Sequence, residues 1–256
     1  MNLKKPKFWD NEDPNILAYL LYPVAILFKF LKFFKIKPKT KTFKIKTICI
    51  GNIYIGGTGK TSLSLKINEI LIKNNINSCF VKKFYKNQID EHGLIRNNFQ
   101  NLILNKSRVE GLLEAEKKNH DIVLMDDGFQ DFRIKKDLNI ICFNQNQLIG
   151  NGFTIPAGPL REPLSSLKRA QIILINGQKD IKFENKLLKI NQDLEIFYSS
   201  YVPINVNKFT NKNFIAVTGI GNPINFFDLL EKNKIPIKKN SSFQIIMNFQ
   251  RQILRK

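Results

Sequence analysis

Cysteine is scarce in this chain, and the three residues present, Cys49, Cys79 and Cys142, stand singly in apolar runs with no C-x-x-C spacing. That pattern points away from a disulfide framework or a zinc site and towards buried thiols in a reducing compartment. Acidic residues are also few: 21 Asp and Glu against 41 Lys and Arg leave a net charge of +20. The excess favours an anionic partner, whether nucleic acid, a membrane surface or a phosphorylated substrate; a general bias of a Lys-, Asn- and Ile-rich composition is the plain alternative. The apolar run at 16–28 stops short of the roughly 20 residues needed to span a bilayer. There is no internal repeat, and no low-complexity block beyond a lysine-rich start. With 256 residues, the chain has room for one large domain or two small ones.

What is present is a glycine-rich turn between an apolar strand and a helix, TICIGNIYIGGTGKTSLS at 47–64. Gly56, Gly57 and Gly59 let backbone N–H groups around Thr58 converge on phosphate oxygens. Lys60 can then reach the β- and γ-phosphates, and the Thr61 hydroxyl can bind Mg²⁺ at the positive end of the helix. A strict G-x-x-x-x-G-K-[ST] pattern would put glycine where Tyr54 stands, so the assignment rests on GGTGKT in its strand–turn–helix setting. A glycine turn with a solvated lysine is the alternative. The counterpart of such a cradle is DIVLMDDGFQ at 121–130, a buried parallel strand that delivers Asp126 and Asp127 to the same rim. One of the two would hold Mg²⁺ directly or through water, and the other would support it.

Around this pair the chain reads as α/β: a P-loop NTPase-like parallel sheet with flanking helices, an N-terminal membrane-interface helix, and a second, smaller α/β subdomain. Residues 1–40 form the interface helix, with lysines 29, 32 and 35 placed for lipid phosphates; a helix packed on the core is the competing reading. Residues 41–180 form the P-loop subdomain, with further strands at 77–83, 101–104, 137–143 and 171–176 and a helix at 107–118 that carries Arg108 near its start. The loop after the second strand gathers Asp90, Glu91 and His92, a candidate chemical site or a solvated loop. Arg161-Glu162 lie in a Gly- and Pro-rich loop, where Arg161 either positions an anionic group or pairs with Glu162. The pattern breaks after 177, and 181–212 reads as a two-stranded linker before a unit at 213–256, where Pro223 opens a helix.

With these blocks in order, the sequence resembles the tetraacyldisaccharide 4′-kinase family, the lipid A 4′-kinases of Gram-negative inner membranes. The resemblance rests on GNIYIGGTGKT, MDDGFQDFRIKKDLNI, IPAGPLREPLSSLKRA and VTGIGNPINFF, and it covers nearly all of residues 12–243. It implies transfer of the ATP γ-phosphate, with Mg²⁺, to the 4′-hydroxyl of an acylated disaccharide 1-phosphate at the cytoplasmic face of the inner membrane. It also places Lys60 and Thr61 on the phosphate and Mg²⁺ positions, Asp126 and Asp127 on the acidic pair, and Arg161 and Gln130 on the substrate side. Asp90 then falls on the aspartate at the sugar hydroxyl, making Asp90, Lys60 and Asp127 the catalytic set.

Three departures stand out. The family's Ser-Arg-Gly-Tyr is here Lys82-Lys83-Phe84-Tyr85, and the residue after DDGFQ, usually His, is Asp131. Where the family carries Ser-Phe-Pro-Asp-His-Tyr, this chain reads Ser242-Phe243-Gln244-Ile245-Ile246-Met247, without the histidine that pairs with the catalytic aspartate. Deleting one C from TTT CCA GAT CAT TAT GAA TTT gives Phe-Gln-Ile-Ile-Met-Asn, so a single-base frame shift accounts for the end of the sequence; a true truncation or a sequencing error are the alternatives. Weak or absent kinase activity and a poorly stable 213–256 unit are expected on that basis. Two other functions compete. A soluble P-loop switch of the partition or metallochaperone type would carry lysine just before the glycine pair, where Ile55 stands, and would need no interfacial N-terminus. A nucleic-acid module is disfavoured, because the lysines are spread along the chain without an aromatic-interleaved RNA motif. Solubility that depends on detergent, and loses that dependence on removal of residues 1–36, would separate the lipid kinase from both.

Overall fold

The computed structural model describes residues 5–34, 38–85, 95–96, 99–203, 206–209, 214–218, 223–235 and 237–242. Seven strands form one sheet: β1 (Lys46–Gly51), β2 (Ser78–Lys83), β3 (Leu102–Asn105), β4 (Ile122–Asp126), β5 (Leu138–Asn144), β6 (Ile172–Asn176) and β7 (Glu195–Ser199). Their order is β3-β2-β4-β1-β5-β6-β7, and every pairing is parallel. Parallel strands covered on both faces read as continuous apolar runs, and IVLMD and LNIICFN are of that kind.

Alternation along the strands builds two cores. Cys49, Val81, Val123 and Met125 join one buried cluster, whereas Phe80 and Leu124 join another. Helix α2 (Lys60–Lys73) supplies Leu71 to the second cluster. Helix α3 (Arg108–Lys117) supplies Leu112 and Ala115 to the first. All three cysteines are buried in this sheet. β1 is central, between β4 and β5, so the chain leaves it towards one edge of the sheet and later returns to build the other. In open α/β sheets the crevice at such a switch point is where ligands sit.

At the N-terminus a short 3₁₀ turn, Lys7–Asp10, precedes α1 (Ile16–Phe34), whose start is capped by Asn15 Oδ1 accepting from the Ala18 N–H at 3.0 Å. Ala18 and Ala25 face inward, while Ile16, Leu20, Ile26, Leu27 and Leu31 are exposed. Tyr19 and Tyr22 lie on Phe153 with ring centroids 5.7 and 4.6 Å away. Among the described residues no helix is long and apolar enough to cross a membrane.

The chain divides into two units, 1–199 and 200–256. The N-terminal segment therefore belongs with the sheet. Within 181–212, where a two-stranded linker was expected, α4 (Ile181–Leu188), capped by Asp180 Oδ1 accepting from Phe183 N–H, leads into β7, the parallel edge strand beside β6. An edge strand buries one face only; Ile196 and Tyr198 pack on the core while Phe197 is exposed. This alternation imitates that of a hairpin. The second unit is a β–α–β element of β8 (Phe214–Thr218), α5 (Pro223–Lys232) and β9 (Ile237–Ser242), with the two strands parallel. Residues 243–256, which carry the shifted-frame reading, lie outside the described residues.

Candidate active site

The phosphate loop follows from where β1 stops. Beyond Gly51 the chain turns through 52–59, with Gly56 at φ 133° and Gly59 at φ 88°, both in the region that favours glycine. Gly59 precedes α2 with no side-chain cap, so the first-turn N–H groups stay available for an anion. The loop is braced from three directions. Asn52 Nδ2 donates to Gly56 O at 3.2 Å, and Gln130 Nε2 donates to Asn52 O at 2.9 Å. The proline-rich loop adds Ile55 N to Pro159 O at 2.9 Å and Arg161 N to Ile53 O at 2.7 Å.

β4 brings the two carboxylates to the same rim, and they meet different partners. Arg161 Nη1 contacts both oxygens of Asp127, at 2.9 and 2.8 Å, while Lys60 Nζ stands 3.6 Å from Oδ1. Burial opposes ionisation of Asp127, but Lys60, Arg161 and Arg108 outweigh it and hold the carboxyl below the ordinary aspartate range. Asp126 instead accepts from Lys82 Nζ at 2.6 Å, and its carbonyl accepts from Arg108 Nε at 3.0 Å. Asp127 adopts φ 51°, which turns its side chain away from the strand's alternation. Glu162 pairs with Arg169, whose guanidinium lies over Phe129, so Arg161 is left to Asp127 and the Arg161–Glu162 staple does not form.

Tyr54 ties this loop to the N-terminus. Its ring is fully buried, its hydroxyl accepts from Lys5 Nζ at 2.9 Å and donates to Asp10, and burial followed by Asp10 pushes the phenol up. Next to it, Trp9 Nε1 donates to Pro156 O at 3.1 Å and Trp9 O accepts from Asn151 N at 3.0 Å. A Cβ on Gly150 would lie 2.0 Å from that carbonyl, so only glycine fits there.

The model of the tetraacyldisaccharide-1-P 4′-kinase family (LpxK) matches residues 17–256. The chain belongs to this family. Tetraacyldisaccharide 4′-kinase of Pelagibacter ubique is 46% identical over 240 residues, covering 93% of this chain and 76% of the relative. That of Rickettsia akari is 31% identical over 272 residues, covering 99% and 82%. The crystal structure of LpxK from Aquifex aeolicus in complex with ATP shares the fold, with a TM-score of 0.63 and 22% identity over 91% of this chain and 82% of that one. The parallel sheet with flanking helices is the one expected of a P-loop NTPase-like kinase.

For this LpxK-family chain, Lys60, Asp127 and Arg161 come together as one cluster, with Asp126 beside it. Gln130 commits its amide nitrogen to the phosphate loop, where the sequence suggested substrate contact alone. Asp90, Glu91 and His92 lie outside the described residues. Reasoning from the sequence missed the roles of Lys82 and Arg108. For the first, a lysine ending an apolar strand was visible in the sequence, but not that its strand lies beside the acidic one. Arg108, in the first turn of α3, carried no signal. The residues present fit a nucleotide: among the described residues Thr58 Oγ1 and Asn52 Oδ1 are buried in the loop without a hydrogen-bond partner, the hydroxyl able to donate to a phosphate oxygen and the amide oxygen able to accept from a water beside it. The oxygen donors Thr61, Asp126 and Asp127 are of the hard type that suits Mg²⁺. A separate hollow of about 270 Å³ between Asn68, Asn77 and Asn101 lies near the start of β2, at the opposite rim, and among the described residues is lined by no ionisable group.

Proposed function

We infer that this kinase transfers the γ-phosphoryl group of ATP to the 4′-hydroxyl of a tetraacylated glucosamine disaccharide 1-phosphate, a step of lipid A biosynthesis. The observation that carries the inference is the meeting of Lys60, Arg161 and Asp127 at the mouth of an uncapped glycine loop, in a chain of this family. Phosphoryl transfer asks for positioning and for charge stabilisation, and little covalent chemistry from the protein. Before nucleotide enters, Lys60 and Arg161 rest on Asp127. ATP offers both cations a more highly charged partner, so they move to its phosphates and uncover the carboxylate. Gly56, Gly57, Thr58 and Gly59 contribute backbone N–H groups to the phosphates, and Thr61 and Asp127 offer oxygens for a divalent cation. Mg²⁺, when bound, neutralises charge that develops between the β- and γ-phosphates. Asp90 is assigned as the group that orients the sugar hydroxyl and accepts its proton late in the transfer.

We further assign α1 to the cytoplasmic face of the inner membrane, with its exposed Leu, Ile and Phe side chains in the acyl boundary and the basic surface on anionic head groups. The deciding experiment feeds γ-labelled ATP and tetraacyldisaccharide 1-phosphate in detergent micelles to this chain and, in parallel, to one carrying Pro-Asp-His-Tyr in place of residues 244–247. Label in the lipid from either chain is expected; label from neither overturns the assignment.

A further inference from the structure

The transfer as derived leaves one buried ion pair at the site without a task. Register between β2 and β4 sets Val81 against Met125, which puts Lys82 and Asp126 side by side at the carboxyl rim of the sheet. Their contact is 2.6 Å, and the side chains are only 6% and 9% exposed. A lysine so deeply buried is tolerated only when paired, and a short charge-assisted bond away from water is held firmly. Asp127, at 29% exposure, is different: its partners Lys60 and Arg161 both have phosphate as a competing destination. Arg108 fixes the Asp126 carbonyl as well, so backbone and side chain of this residue are both engaged from within the protein. The two adjacent carboxylates are therefore not equivalent, one tied to an internal ammonium and the other to groups that leave when ATP arrives.

We propose that Lys82 is a positioning residue that holds Asp126 out of direct metal coordination, so that the divalent cation accompanying ATP takes its protein carboxylate from Asp127 alone. The inference rests on the kinase reading above. A carboxylate already bonded to an ammonium is a poor donor, and a small hard cation that readily keeps water can retain a water molecule on that side. Lys82 thus lowers the site's affinity for metal and makes metal binding depend on the nucleotide.

The test is Mn²⁺ binding by the full chain in the presence of a non-hydrolysable ATP analogue, followed by the electron paramagnetic resonance signal of free Mn²⁺. Nucleotide binding is measured separately with a fluorescent analogue. Lys82→Met is expected to tighten Mn²⁺ by about fivefold or more, the gain shrinking to within about twofold when Asp126→Asn is added, because the gain needs the released carboxylate. The double variant, which removes both members of this pair and should fold even where Lys82→Met alone does not, is expected to bind Mn²⁺ within about threefold of the parent, whereas Asp127→Asn loses about tenfold or more. Equal losses in the double variant and in Asp127→Asn overturn the proposal, as does an equal gain from Lys82→Met with and without Asp126. A parent chain that binds no nucleotide overturns the kinase reading and this inference together.

Discussion

Lys60 stands where two demands meet: it neutralises Asp127 in the free protein and, in the proposed reaction, would neutralise phosphate. Lys60→Met should therefore weaken ATP binding and lower turnover by about 10²-fold or more, measured by steady-state kinetics with ATP varied. Asp127 gives a prediction in pH. Burial works against its charge, yet Lys60 and Arg161 bring its folded value below the unfolded one. The stabilisation is then complete above the unfolded value of about 4 and is lost as pH falls through the folded value. Melting temperature should stay flat from about pH 8 to 5 and drop only below about pH 4, and Arg161→Ala should move that acid limb upward. At this scale much was legible. That Lys60 opens a helix beside the strand end carrying Asp126 and Asp127 stood in the sequence, because glycine turns and acidic strand ends have local signatures. The Lys82–Asp126 pair was not legible, because strand neighbours 44 residues apart are set by sheet order, which no local pattern encodes.

At the scale of elements, α3 shows how closely helices press on the sheet. A Cβ on Gly111 would lie 2.7 Å from Val81 Cγ1. Alanine there gains about 1 kcal/mol of helix propensity, but overpacking costs about 1–3 kcal/mol. Gly111→Ala should on balance lower the urea midpoint, while Leu113→Ala, on the exposed side of the same helix, should leave it nearly unchanged. Strands β4, β5 and β6 were readable to within a residue or so, because each is a short, β-branched-rich apolar run bounded by polar or turn residues, too short for a helix. β7 was not, since half-exposure at a sheet edge and at a hairpin produce the same alternation. The seat of α1 was also hidden: its apolar run announced a surface helix, but the Tyr19 and Tyr22 contacts with Phe153 join residues more than a hundred positions apart.

For the molecule as a whole, charge and burial make two further measurements decisive. Cys49, Cys79 and Cys142 are buried, and burial pushes each thiol up to about 12. Mass spectrometry should find no alkylation by iodoacetamide under native conditions and three adducts after denaturation, so labelling reports global opening. With a net charge of +20 and an apolar face on α1, the chain should co-sediment with anionic vesicles at low salt and less so as ionic strength rises, and neutral vesicles should capture less of it.

The anchoring of Tyr54 by Lys5 and Asp10, together with the Trp9 contacts to Pro156 and Asn151, bears on how the proposed membrane association is to be dissected. Cutting the chain at residue 36 would remove the greasy helix and, in the same stroke, strip a buried phenol and two backbone groups of their partners next to the nucleotide loop. Such a trimmed protein would conflate loss of lipid contact with a slackened ATP pocket. Recoding Leu20, Leu27 and Leu31 to glutamine, with the first fifteen residues kept, separates the two.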